Sequence, residues 1–261
     1  VASKTEHWTR EQVLIALNLY TQLPFGKLDE RTPVIQDIAP LLGRTPGALA
    51  MKLNNLASLD PAITSTGRAG LSGRSKLDEQ VWAEFMADPE AVGQASQELM
   101  DALVEGTSLF SLSSLAEIDL PVAATEEQTT GTSVVKVRRG QAFFRRAVVA
   151  SYQGRCCMSG LQTARLLVAS HIKPWNADIA NRLNPENGLC LSALHDRAYD
   201  LGFISVRPDL SIAISAELKA DESMFAKEVL FDLAGKTIVA PHRFRPNPEF
   251  LAWHYANLFR G

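Results

Sequence analysis

Two neighbouring stretches decide how this chain is read. They are Leu166-Leu-Val-Ala-Ser-His-Ile-Lys-Pro-Trp175 and Leu183-Asn-Pro-Glu-Asn-Gly-Leu-Cys-Leu-Ser-Ala-Leu-His-Asp-Arg-Ala-Tyr-Asp200. Leu166 to Ile172 is apolar and β-prone, and a proline-containing turn follows His171. Asn187 to Leu191 reads as a second short strand. Ser192 to Asp200 reads as a helix on which Asp196 and Asp200, four residues apart, share one face. A strand ending in His, a loop, a strand opened by Asn and a helix bearing His and Asp are expected, within an α+β fold.

Upstream, Val134 to Arg155 holds six basic residues (Lys136, Arg138, Arg139, Arg145, Arg146, Arg155) and no acidic one. Gln141 to Tyr152 has the pattern of an amphipathic helix, with Phe144, Val148 and Tyr152 at four-residue spacing for burial. Arg145 and Arg146 then fall toward or beside the opposite face, where they are candidates to grip a DNA backbone. The wider charge pattern agrees. Residues 81–133 carry ten acidic residues and no basic one, whereas residues 134–261 carry seventeen basic and eleven acidic ones. A basic half suits a polyanionic partner, because each Lys or Arg set beside a phosphate releases condensed counterions.

Here the chain resembles the HNH endonucleases of the ββα-metal, or His-Me finger, superfamily. The resemblance rests on His171-Ile-x-Pro-Trp175, Asn187-Gly-Leu-x-Leu191 and His195-Asp-x-Ala-x-Asp200. Gly140-Gln-x-x-Phe-Arg145, Tyr152, Cys156 and Ser159-Gly160 match upstream, and Pro246 to Phe259, with Leu251, Trp253 and His254, resembles the closing helix. It covers residues 134–261. It implies hydrolysis of DNA phosphodiesters with His171 as general base and Asn187 bracing the loop that holds it. An imidazole accepts a proton near neutral pH, and an amide can donate and accept at once. It also implies one divalent ion, Mg²⁺ or Mn²⁺, bound from the helix, and 5′-phosphate and 3′-hydroxyl product ends. Asp196 lies nine positions after Asn187 and His195 eight, so both are carried as ligand candidates, with Asp200 one turn on. His195 is also a catalytic candidate, acting by orienting a neighbouring ligand. Many relatives place Asp or Glu directly before the base, where this chain has Ser170. The structural zinc of other HNH proteins would need Cys156, Ser159, Ser192 and His195. Two of these are hydroxyls, so no structural zinc is expected. Lys173 is a further candidate for phosphate contact, with solvation the alternative. Trp175 is expected to pack the turn, and Cys157 and Cys190 to be buried small residues.

The front of the chain reads as a helical module over residues 1–105. Thr9-Arg-Glu-Gln12 is a capping-box pattern ahead of an apolar stripe, Val13 to Tyr20. A second helix is expected from Pro33 to Leu42, and a third from Pro46 to Leu56 behind a Gly43-Arg44 turn and a Thr45 cap. This outline resembles a helix-turn-helix or SANT/Myb-like fold, in which Lys52 and Asn54 or Asn55 would face DNA. Two more helices are expected, near Leu77–Met86 and across residues 91–105. Residues 106–133, acidic and rich in Ser and Thr, are the expected linker, and residues 134–261 the nuclease domain.

Composition frames these readings. The 261 residues are 46% apolar and 21% charged, which excludes wholesale disorder, a collagen-like fibre or a coiled coil. No apolar run approaches the ~20 residues needed to span a bilayer, and no signal peptide is read at the start. Three cysteines, two of them adjacent, argue against a disulfide framework and suit a cytoplasmic setting. The expected partner is double-stranded DNA, met by a homodimer where both strands are cut, in restriction or phage defence, including of modified DNA. The alternatives are a non-cleaving DNA binder or modified-base sensor, and a defence nuclease switched on by a partner.

Overall fold

The computed structural model describes residues 7–65, 73–105 and 131–261. The chain divides into two compact units, Val1–Phe143 and Phe144–Gly261. The expected linker 106–133 lies almost wholly outside the described residues; residues 131–133 begin a helix.

The first unit is helical: α1 (Arg10–Gln22), α2 (Pro33–Leu41), α3 (Pro46–Ala57), α4 (Pro61–Thr64), α5 (Lys76–Ala87) and α6 (Pro89–Val104). Thr9 caps α1 in a complete capping box with Gln12. From Val13 onward α1 is buried on every side, packed against α3, α5 and α6. A helix surrounded in this way must pair its polar groups internally. Accordingly Asn18 donates to Ser96 and Gln97, each at 3.2 Å, and the Tyr20 hydroxyl donates to Asp60 at 2.7 Å. Gly43, at φ +66°, ends the helical run of α2. The amide of Arg44 bonds back to the Ala39 carbonyl at 2.9 Å, and Thr45 caps α3.

In the second unit α7 (Gly131–Ser151), which begins in the first, buries Phe144, Ala147 and Val148. A tight turn at residues 156–160 follows, closed by Gly160 N–H onto the Cys156 carbonyl. Strands β1 (Leu167–His171) and β2 (Gly188–Ser192) pair antiparallel, with His171 opposite Gly188 and Ser170 opposite Leu189. The Cys157 amide bonds the Cys190 carbonyl and so anchors the turn to β2. Ser192 ends β2 and caps α8 (Ala193–Asp200), which packs on both strands. Gly202, at φ +75°, turns the chain out of α8. A Cβ there would lie 2.0 Å from the Leu258 carbonyl oxygen.

Residues 201–245 carry no local pattern that announces an element. The structure has a hairpin there, β3 (Ile204–Val206) with β4 (Ile212–Ile214), then the short helices α9 (Ala216–Lys219) and α10 (Met224–Val229). The closing helix α11 (Pro248–Asn257) packs on β3. Three-residue strands are too short to declare a period, so only their pairing reveals them. The α+β class stands: among the described residues the front is helical and the strands fall in the second unit.

Candidate active site

The base candidate sits where β1 ends. The His171 ring stacks on Phe144 at 3.8 Å and 9°, and meets Trp175 edge-on at 5.5 Å. Its Nε2 lies 2.9 Å from the Arg182 carbonyl oxygen. A carbonyl only accepts, so the proton belongs on Nε2 and the lone pair on Nδ1. Burial among the aromatic rings draws the imidazole down to about 4, against a smaller upward pull from the Arg182 carbonyl. The ring is therefore neutral at pH 7, and more strongly so than an unperturbed histidine.

Asn187 is fully buried between the loop's two ends. Its Oδ1 accepts from the Lys173 amide at 2.8 Å, and its Nδ2 donates to the carbonyls of Lys173 at 3.1 Å and Asn181 at 3.2 Å. Two of the bonds reach the far end of the loop at Lys173, and the third holds its middle at Asn181. The loop is drawn in further by Arg182, whose Nε donates to the Trp175 carbonyl at 2.8 Å and whose guanidinium lies 4.9 Å from the Trp175 ring.

The carboxylates come from α8. Ser170, next to His171 on β1, is 2% exposed. Its hydroxyl has no well-formed hydrogen bond, yet it lies close enough to Asp196 to favour the ionised carboxylate. Burial is the larger influence and raises Asp196 above its ordinary value. Asp200 is raised to about 6, by burial first and then by the charge of Asp196, with Arg197 opposing. Asp196 and Asp200, one turn apart on α8, are two hard oxygen donors on one side of a helix. With the buried Ser170 hydroxyl, they are the donor types that a hard divalent cation would take. Among the described residues no group of three or more His, Cys, Asp or Glu side chains gathers.

His195 faces elsewhere. It is 2% exposed, and its Nδ1 lies 2.9 Å from Ser192 Oγ and 3.5 Å from Cys156 Sγ. Burial raises the Cys156 thiol, but hydrogen bonds from His195 and Ser159 outweigh it and bring the group to about 6. Cys157 and Cys190 are buried, and burial drives both thiols upward, Cys190 to about 12.

Several DNA-contact candidates stand differently from their sequence reading. Lys52 is 5% exposed and pairs at 2.7 Å with the fully buried Asp78, so it is not offered to a phosphate. α3 lies inside the helical unit, and the long lysine stem carries its charge to an interior partner. Asn54 commits its amide to the carbonyls of Leu28 (2.9 Å) and Ala50 (2.8 Å), and Asn55 donates to Gly73. Arg145 is buried rather than on the outer face, because α7 is covered on more sides than its four-residue stripe suggests; Arg146 is half-buried. Lys173 is half-buried, 3.2 Å from Asp178 and 4.8 Å from the centre of the Phe250 ring. Arg182, whose carbonyl orients His171, gives no sign of that role in the sequence. A backbone acceptor leaves no side-chain signal.

No curated protein matches the chain. Residues 156–207 match the family model described as HNH endonuclease, a span that holds β1, the Asn187-braced loop, β2 and α8. The strand, loop, strand and helix that carry His171, Asn187 and Asp196 all lie within this match to the HNH endonuclease model.

Proposed function

We propose that this protein is a divalent-metal-dependent DNA endonuclease that hydrolyses phosphodiester bonds with His171 as general base. The observation that carries the reading is the tautomer lock on His171. Its Nε2–H is tied to the Arg182 carbonyl, which leaves Nδ1 as the lone pair. A fixed, neutral imidazole at the end of a strand can take a proton from an attacking water. Asn187 holds the loop that supplies that carbonyl. Asp196 and Asp200 are the ligands for the ion, Mg²⁺ or Mn²⁺, with Ser170 lining the same place. When bound, the ion polarises the scissile phosphate and stabilises the leaving 3′ oxygen. Phe144, stacked on one face of the ring, and Trp175, meeting it edge-on, fix the plane of the base.

The substrate is double-stranded DNA, and Lys173 and Arg146 are the phosphate-facing candidates retained. Restriction or phage defence, modified DNA as target, a homodimer for cutting both strands and a cytoplasmic site complete the proposal. No helix among the described residues is long and apolar enough to cross a membrane.

The test is cleavage of supercoiled plasmid with Mg²⁺ or Mn²⁺, on plain and cytosine-modified DNA. Wild type is expected to nick or linearise the plasmid. His171→Ala is expected to lose about 10²- to 10⁴-fold in rate while still retarding DNA in a gel. A wild-type protein that binds DNA but cuts none of these substrates with either metal overturns the enzyme reading. It would favour a DNA sensor whose centre is weakened at Ser170.

A further inference from the structure

Outside the catalytic arrangement, Cys156, Ser192 and His195 converge on one buried corner, with the exposed Ser159 at its edge. Cys156 is fully buried, His195 2% exposed and Ser192 8% exposed. His195 Nδ1 is shared between Ser192 Oγ at 2.9 Å and Cys156 Sγ at 3.5 Å, and the Ser159 amide donates to the same sulfur at 3.4 Å. The spacing, Cys156 with Ser159 and Ser192 with His195, is that of the four-ligand zinc site the family resemblance implies. The donors do not fit one. Structural zinc takes four thiolate or imidazole ligands, and this corner offers one of each. Both hydroxyls are already acceptors of backbone amides. Ser192 Oγ takes the His195 amide at 3.3 Å as the cap of α8, and Ser159 Oγ takes the Leu161 amide at 3.5 Å.

We propose that a hydrogen-bonded clasp of Cys156, Ser192 and His195 closes this corner in place of a metal ion and ties the 156–160 turn to the first turn of α8. His195 is then a positioning residue. It binds the turn on one side, while the residue after it, Asp196, faces Ser170 on the other. The clasp is a property of the fold and goes beyond the nuclease reading, since it holds whether or not the neighbouring carboxylates serve in DNA cleavage.

The experiment measures zinc per chain by mass spectrometry, and melting temperature with and without EDTA, in wild type, Cys156→Ala and the double variant Ser159→Cys/Ser192→Cys. Wild type is expected to hold well under one zinc per chain and to melt at the same temperature with or without EDTA. Cys156→Ala, measured in EDTA, is expected to melt about 3–8 °C lower, the shift produced by roughly 1–2 kcal/mol in a domain of this size. The double variant supplies three thiols and one imidazole. It is expected to take up one zinc per chain and to become EDTA-sensitive. Wild type carrying one zinc per chain, with a melting temperature lowered by EDTA, overturns the proposal. So does a Cys156→Ala variant that melts with wild type in EDTA, or a folded double variant that takes up no zinc. If the double variant fails to fold, the first two measurements decide.

Discussion

Asn187 commits its amide to three backbone groups of the loop between β1 and β2, two on Lys173 fourteen positions away and one on Asn181, with no exposure to water. Removing it leaves a buried amide and two carbonyls without their partner, and an unmet buried group costs more than the bond itself was worth. Asn187→Ala is therefore expected to lower stability by about 2–4 kcal/mol in urea unfolding. Asn187→Asp, of nearly the same shape, is expected to be at least as damaging. It keeps the acceptor for the Lys173 amide but turns a charged oxygen toward two carbonyls. A near-neutral Asn187→Asp would mean that the residue only fills space. The same substitutions are expected to slow plasmid cleavage beyond what loss of folded protein explains, because the braced loop also brings the Arg182 carbonyl to His171.

At the scale of elements, the β1–β2 pair lies against α7 through a position where no side chain fits. A Cβ on Gly188 would stand 2.3 Å from Val148 Cγ2, 3.0 Å from Phe144 Cζ and 3.2 Å from the Pro185 carbonyl oxygen. Its backbone is ordinary extended chain, with φ near −128°, so the requirement is for space and not for a left-handed turn. Gly188→Ala is expected to destabilise the fold by about 1–3 kcal/mol, the usual cost of overpacking. It is also expected to displace Phe144, the ring on which His171 stacks. Because the closest atom belongs to a side chain, Val148→Ala in the same molecule is expected to recover part of the loss. A double-mutant cycle in chemical denaturation measures that coupling; strictly additive losses would place the strain elsewhere. The resemblance noted Asn187 and Gly188 as one motif. The structure separates their duties, one holding the loop and the other admitting the helix.

Across the whole second unit, the closing helix α11 is locked in by a buried histidine. His254 is 1% exposed, stacks on Tyr199 of α8 at 3.7 Å, and meets Ser205 of β3 through Nδ1 at 2.9 Å. Burial draws its pKa down to about 4, opposed by a backbone contact at Tyr199. The unfolded chain, near 6.5, therefore takes up this proton more readily than the folded one. Stability from this group is complete above about pH 6.5 and declines as the pH falls toward 4. Asp200 works against the trend, since its folded value of about 6 lies above its unfolded one. The comparison is thus best made between variants. From pH 7 to pH 4.5, wild type is expected to lose about 2 kcal/mol more than His254→Gln, measured by urea unfolding at each pH. Equal slopes in the two proteins would mean that the histidine is not buried as a neutral ring.

The sequence by itself determined the elements that announce themselves locally. Helices α1, α2, α3, α5 and α6 follow from their caps and apolar stripes, and β1, β2 and α8 from short runs bounded by Pro, Asn and Ser. His171, Asn187 and Asp196 were singled out through the resemblance, whose motif residues lie close together along the chain. Tertiary structure decided what depends on residues far apart in sequence. It turned Lys52 inward onto Asp78, buried Arg145, drew His195 to Cys156, supplied the Arg182 carbonyl to His171 and paired β3 with β4. Periodicity reports which side of an element is apolar. It cannot say what that side, or a long charged side chain reaching past it, will meet, because burial and hydrogen bonding are set by packed neighbours rather than by the residue itself.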